Sequence, residues 1–304
     1  MSARLLDGKT LAGKILAEAR ALSRAVVGKR GRAPRLAVVA SAGGAAQSYL
    51  KAKLRACSEA GVEAVIHRLS AGPREKLLGL LADIVADASV DALIVETPYP
   101  RGLSAADISA LLPPSKDAEG VTPEAYGRLF LSKTWAEASH RTAPCTAEAL
   151  VRLVMAANIP LSGRRAVVVG RSTTVGRPAA HLLTCLDMTV TLAHSRTKGL
   201  AGLCREADLL MAAAGVPGLI KPSWVKRGAL VLDAGVHRLN GRLVGDCAAG
   251  VAARAGVLTP VPGGVGPVTT AVAVLQAARL AAQGLTPSKV RSSRWSRARR
   301  GSRG

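Results

Sequence analysis

Apolar residues recur at helical spacing from Leu11 to about Val27, and Pro34 breaks the pattern. The run RLAVVAS (35–41) predicts a buried strand, followed by the small residues AGGAA and a helix over Gln47 to Ala60 that ends at Gly61. VEAVIHRL predicts the next strand, Glu75 to Asp87 a helix, and DALIVETPYP a strand stopped by Pro98 and Pro100. The stretch from Pro113 to Cys145 is loop-rich, after which the alternation resumes with an amphipathic helix over Thr146 to Ala157. RRAVVVG predicts a strand ending in glycine, and RSTTVGRPAAHLLTCL a loop running into a helix. TVTLAHS (strand), LAGLCREA (helix), DLLMAAAG and GALVLDAGV (strands) follow, with a turn at Asn240-Gly241, a tight glycine loop from Gly263 to Pro267 and a helix from Thr269 to Gly284.

Strands alternating with helices predict an α/β fold: an N-terminal α/β unit and a doubly wound Rossmann-type unit, with the active site in the cleft between them. The expected units are 1–145, completed by a returning C-terminal helix over 268–285, and 146–267 for the dinucleotide. Residues 286–304 form a basic tail with almost nothing to bury, expected to be disordered.

Composition narrows the options. Aromatics are only 2% of 304 residues, so Ala, Val and Leu must fill the interior. The formal charge is +22, and seven basic residues with no acidic one lie in TPSKVRSSRWSRARRGSRG, so most of the excess is in the body. That balance suits anionic small molecules, and nucleic acid only as a weak contact of the tail. The five cysteines are scattered with no CxxC and no metal spacing, which predicts reduced thiols, a cytoplasmic protein and no metal. MSARLLDGKT has no apolar core of a signal peptide, and no apolar stretch reads as a membrane span.

Two places carry candidate chemistry. In VVVGRSTTVGRP a buried strand runs into Gly170 and a helix opens at Gly176, a turn whose backbone N–H groups and helix dipole suit a pyrophosphate. Six positions separate the glycines, so it is not the full G-x-G-x-x-G. The following strand ends in His194-Ser195-Arg196-Thr197, without the acid that would bind a ribose 2′-hydroxyl. With Arg171 nearby, the pocket favours a 2′-phosphate and therefore NADP, unless both arginines are simply exposed bases on a basic protein. Tyr49 and Lys53, four apart on one helix face, could position a substrate and move a proton, although such pairs are commonly surface features. Short-chain dehydrogenases also carry Tyr-x-x-x-Lys, but beyond their dinucleotide turn, whereas here it precedes Gly170 by more than a hundred residues.

In order, LLDGKTLA, SYLKAKLRAC, IVETPYPRG, PSKDAEG, APCTAEAL, VVVGRSTTVGRP, HSRT and TPVPGGVGPVT resemble the motifs of the methylenetetrahydrofolate dehydrogenase/cyclohydrolase (FolD-type) family, over roughly residues 5 to 280. The resemblance implies NADP-dependent oxidation of 5,10-methylenetetrahydrofolate to the methenyl cation, then hydrolysis to 10-formyltetrahydrofolate. It implies that Lys53 is the central catalytic group, held by Tyr49 and the residue at 96, and that Glu119 binds the pterin. It further implies that Pro262, Gly263, Gly264 and Pro267 shape the folate floor, that Gly170, Arg171, Ser172, Ser195, Arg196 and Val236 contact NADP with Thr146 close by, and that the protein is a homodimer through its nucleotide units.

Two catalytic positions depart from the family's pattern. Its glutamine beside the lysine is Glu96, and its pterin-binding aspartate is Glu119; Thr97 and Tyr99 also replace leucines. A carboxylate at 96 favours the lysine's ammonium form, which predicts weakened hydrolysis relative to hydride transfer, while the carboxylate could itself serve as a base. The alternatives are a divergent enzyme on another pterin-linked one-carbon carrier, a non-catalytic NADP- or folate-binding protein and, on charge and the Arg-rich tail alone, a nucleic-acid-binding protein.

Overall fold

The computed structural model describes residues 3–42 and 47–283. The small residues at 43–46, the end of the expected C-terminal helix at 284–285 and the expected basic tail at 286–304 lie outside them.

The N-terminal unit is built from α1 (Gly8–Arg30), β2 (Arg35–Ser41), α2 (Gln47–Ala60), β3 (Glu63–Leu69), α3 (Arg74–Ala86), β4 (Ala92–Val95) and α4 (Ala105–Leu111). The strands form a parallel sheet in the order β3-β2-β4. Helix α1 starts three residues before the apolar periodicity because Asp7 accepts from the amides of Lys9 and Thr10. It ends at Gly31, whose φ of 68° closes the last turn. The stretch expected to be loop-rich holds two short helices, α5 (Pro123–Phe130) and α6 (Trp135–Ala138). Each opens on a threonine cap, Thr122 and Thr134, and Pro123 occupies the first turn, where its missing N–H costs nothing.

The second unit contains α7 (Cys145–Ala156), β5 (Arg165–Val169), α8 (Gly176–Thr184), β6 (Thr189–Ala193), α9 (Leu200–Glu206), β7 (Leu209–Ala212), β8 (Leu230–Asp233) and β11 (Val257–Leu258). The Asn240-Gly241 turn joins β9 (His237–Leu239) to β10 (Arg242–Val244), with both residues at positive φ as a tight hairpin requires. The main sheet is wholly parallel, ordered β1-β11-β8-β7-β5-β6, and its edge strand β1 is Arg4–Leu5. The first residues expected in the N-terminal unit thus lie in the sheet of the second unit, paired with Val257 and Leu258. A two-residue strand shows no alternation, so only its tertiary partner reveals it.

The last helix, α10 (Val265–Gln283), starts earlier than the glycine loop suggested, with Pro267 in its first turn. It packs along α1, α2 and α7. By length and composition alone it could cross a bilayer, contrary to the sequence reading, but 72% of its apolar window is buried inside this fold. Glu148 of α7 is clamped by Arg152 and Arg279, and Gln276 donates to its carboxylate and to the Ala143 carbonyl, tying α7 to α10.

Candidate functional site

Lys53 projects from α2 into the interior, where it is only 2% exposed. Its ammonium is hydrogen-bonded and ion-paired to Glu96, the residue that follows β4 and is itself 8% exposed. Glu96 is fixed there because its amide continues the ladder, donating to Val39 on β2 at 2.8 Å. One turn before Lys53, the Tyr49 ring lies 5.4 Å from the ammonium, a cation–π distance. Burial alone would drive Lys53 towards the neutral amine, but Glu96, Tyr49 and Glu119 outweigh it and its pKa ends above the ordinary lysine value. Protein crowding raises the Tyr49 phenol as well, against the opposing effects of Lys53 and of hydrogen bonding to Thr270 on α10.

Glu119 reaches this cluster from the loop after α4. Burial, with Glu96 and Asp117 nearby, pushes its carboxyl up to about 7 although Lys53 pulls the other way. The loop is held by Asp117, which is fully buried and accepts from the amides of Glu119, Gly120 and Thr122 at 3.2, 2.8 and 2.8 Å. Lys116 points away and donates to the Val85 and Asp87 carbonyls at the end of α3. Cys145, beside Thr146 at the start of α7, donates to Ala118. The structure therefore brings Tyr49, Lys53, Glu96 and Glu119 into one electrostatic unit, and half-buried Thr146 follows Cys145 in the chain.

The loop Pro262-Gly263-Gly264 sits against the opposite end of the chain. Gly8 donates to the Gly263 carbonyl at 2.9 Å, and a Cβ on Gly8 would fall 1.8 Å from the Gly264 oxygen. Gly263 has φ 110°, a conformation side chains resist. The N-terminal Leu-Asp-Gly-Lys-Thr segment thus acts as a brace for this loop, with Pro267 in the following helical turn.

Across the second unit, β5 delivers Gly170 to the point where the strand order reverses between β5 and β7. Its φ is 127°, and a Cβ would meet the Ala213 oxygen at 1.9 Å; one on Gly176 would meet the Gly170 oxygen at 1.8 Å. Strand, turn and helix can approach this closely only without side chains. The Ser172 hydroxyl accepts from the amides of Val175 and Gly176, shaping the turn from within. Among the described residues, the amides of Arg171, Ser172, Thr173 and Thr174 have no protein acceptor. Arg171 is exposed beside them, and Ser195 and Arg196 are exposed at the end of neighbouring β6. His194 shapes that end: its Nδ1 accepts from the Arg196 amide at 3.2 Å. Val236, 65% exposed, follows β8.

Sequence reasoning missed several supports. Asp246, fully buried, accepts from the amides of Ala214 and Gly215 and pairs with His237, while Asp233 accepts from those of Gly235, Asp246 and Cys247. Their only sequence signal is an acid at the end of an apolar strand and another after a glycine. Asp117 lies inside PSKDAEG, where nothing in the sequence gives it a role, and Tyr126 on α5, which donates to the Thr173 carbonyl in the turn between Gly170 and Gly176, has no sequence signal.

Residues 6–119 match the tetrahydrofolate dehydrogenase/cyclohydrolase catalytic domain and residues 144–284 the NAD(P)-binding domain of the same family. The bifunctional protein FolD of Parafrankia sp. (strain EAN1pec) is 42% identical over 286 residues, covering 91% of this chain and 99% of the relative. Among solved structures, the bifunctional FolD methylenetetrahydrofolate dehydrogenase/cyclohydrolase from Campylobacter jejuni superposes with a TM-score of 0.84 at 34% identity, covering 93% of this chain and 99% of that one. The Trypanosoma brucei enzyme complexed with NADP cofactor and inhibitor gives 0.85 at 30% identity, covering 94% and 100%. With both domains matched in order and nearly the whole chain aligned, the chain belongs to the tetrahydrofolate dehydrogenase/cyclohydrolase family.

Proposed function

We propose that this chain oxidises 5,10-methylenetetrahydrofolate to the 5,10-methenyl cation with NADP and hydrolyses that cation to 10-formyltetrahydrofolate, with the balance tilted towards oxidation. The observation that carries the tilt is the buried Lys53–Glu96 ion pair. NADP, when bound, accepts the hydride. The residues at its expected position fit it: two glycines at which an added Cβ would strike the Ala213 and Gly170 oxygens, four amides with no acceptor among the described residues, and Arg171, Ser195 and Arg196 for a 2′-phosphate. Thr146 and Val236 would border that site.

Lys53 is the central catalytic group in this reading. As an ammonium it donates a hydrogen bond to the folate and orients the methylene carbon, with Tyr49 lining the same pocket. Glu119 holds the pterin, and Pro262, Gly263, Gly264 and Pro267 form the floor under it. Oxidation creates positive charge on the folate, which the Glu96 carboxylate favours. Hydrolysis consumes that charge: water adds to the cationic carbon, a proton must leave, and a carbon–nitrogen bond of the bridge opens. A lysine locked as ammonium cannot accept the proton, and its partner Glu96 is already engaged, so this step is the slower one. Measuring both activities on the purified protein tests the proposal. A hydrolysis-to-oxidation ratio unchanged by Glu96→Gln would overturn the tilt, and no NADPH formation from 5,10-methylenetetrahydrofolate would overturn the assignment.

The reading includes a cytoplasmic homodimer joined through the nucleotide units. Its support is that β6 is the sheet's edge strand and leaves Leu192 36% exposed. Analytical ultracentrifugation tests it: a dimer is expected, and Leu192→Lys should weaken it.

A further inference from the structure

The segment that leaves the Glu119 loop runs directly onto the dinucleotide turn. Asp117 holds the amides of Glu119 and Thr122, and Thr122 caps α5 through the Ala125 amide. One turn on, the half-buried Tyr126 hydroxyl donates to the carbonyl of Thr173, in the middle of the turn between Gly170 and Gly176. The rest of α5 is docked on α8: the Leu129 carbonyl meets His181 Nε2 at 2.9 Å, and Phe130 stacks on the His181 ring at 4.4 Å. Those contacts touch the helix, whereas Tyr126 alone among them touches the turn. A carbonyl pinned in mid-turn fixes its own peptide plane, and therefore the direction of the Thr174 amide that shares that plane.

We propose that Tyr126 is a positioning residue for the cofactor: by holding the Thr173 carbonyl it pre-forms the dinucleotide turn and raises its affinity for NADP. The inference rests on the reading of that turn as the NADP site. Without the hydroxyl, the turn must be ordered by the ligand itself, and affinity falls by that ordering cost.

The test uses the full chain and NADP in calorimetric titration and in steady-state oxidation of 5,10-methylenetetrahydrofolate. Tyr126→Phe keeps the ring and removes only the donor. One hydrogen bond of this kind corresponds to about a 3- to 10-fold change. The expected result is that rise in both Kd and KM for NADP, with kcat at saturating NADP within about twofold of the parent and the unliganded melting temperature lowered by no more than about 4 °C, the effect of one hydrogen bond. Phe130→Leu, which perturbs the same dock without touching the turn, should leave the KM for NADP as it was. Unchanged NADP affinity in Tyr126→Phe would overturn the proposal, as would an equal loss in Phe130→Leu or a fall in kcat without a rise in KM. If the parent protein itself gave no NADP binding, the cofactor assignment would fall and this inference with it.

Discussion

Lys53 and Glu96 meet as an ion pair in which the side chains are only 2% and 10% exposed. Two charges at that depth are tolerable together and costly apart, because each has lost most of its water. The pair is therefore a structural commitment as well as a chemical one.

Removing one partner should show both sides. Lys53→Met should abolish oxidation and hydrolysis, by at least about 100-fold each, while the NADP titration stays that of the parent. It also strands a buried carboxylate, so stability should fall by about 3 kcal/mol at neutral pH, measured by urea unfolding. Full turnover in this variant would remove Lys53 from the mechanism.

Glu119 should make stability pH-dependent in a direction unusual for a carboxylate. Its pKa is raised from the ordinary 4.5 to about 7, so the folded state binds a proton the unfolded state releases. That contribution is present below about pH 4.5 and lost as pH rises through about 7. Glu119→Gln should then gain stability relative to the parent at pH 8 but not at pH 4, by on the order of 2 kcal/mol. Unfolding curves at the two pH values decide it, and a gain of equal size at both would remove the titration as its cause.

Gly176 stands 1.8 Å, by its missing Cβ, from the Gly170 oxygen. Gly176→Ala must push the helix start away from the strand end. Its NADP affinity should fall by more than about 10-fold, the equivalent of 1.4 kcal/mol, while folate binding in the other unit is kept. Gly13→Ala, where a Cβ meets nothing within 4 Å, is the matched control and should leave both unchanged.

Arg171 and Arg196 are exposed beside the turn, which fits a role that begins only when a phosphate arrives. The double variant Arg171→Ala/Arg196→Ala should raise the KM for NADP by about 10- to 100-fold and leave the KM for NAD nearly unaltered. Equal losses for both would mean the arginines act on the shared pyrophosphate rather than the 2′-phosphate.

Much of the architecture is legible in one dimension. Buried parallel strands read as unbroken apolar runs, so RLAVVAS, RAVVV and ALVLD announce themselves, as do the glycine turn and the missing acid after β6. The substitution at 96 is equally visible, and so is the expectation that its carboxylate holds a proton on Lys53. These properties depend on residues close in the chain or on a single side chain's chemistry.

What only the folded chain decided depends on contacts between distant residues. Arg4 and Leu5 became an edge strand because Val257 and Leu258 offered them unpaired amides and carbonyls. Gly8 braces Gly264, and Tyr126 reaches Thr173 from the other unit. The shift of Glu119 is likewise three-dimensional, since its causes are burial and the carboxylates of Glu96 and Asp117 gathered from separate segments. Periodicity reports the surroundings of a residue averaged over one helix or strand face. It carries no record of which distant backbone oxygen or charge will stand a few ångströms away, and that distance sets both the electrostatics and the turn.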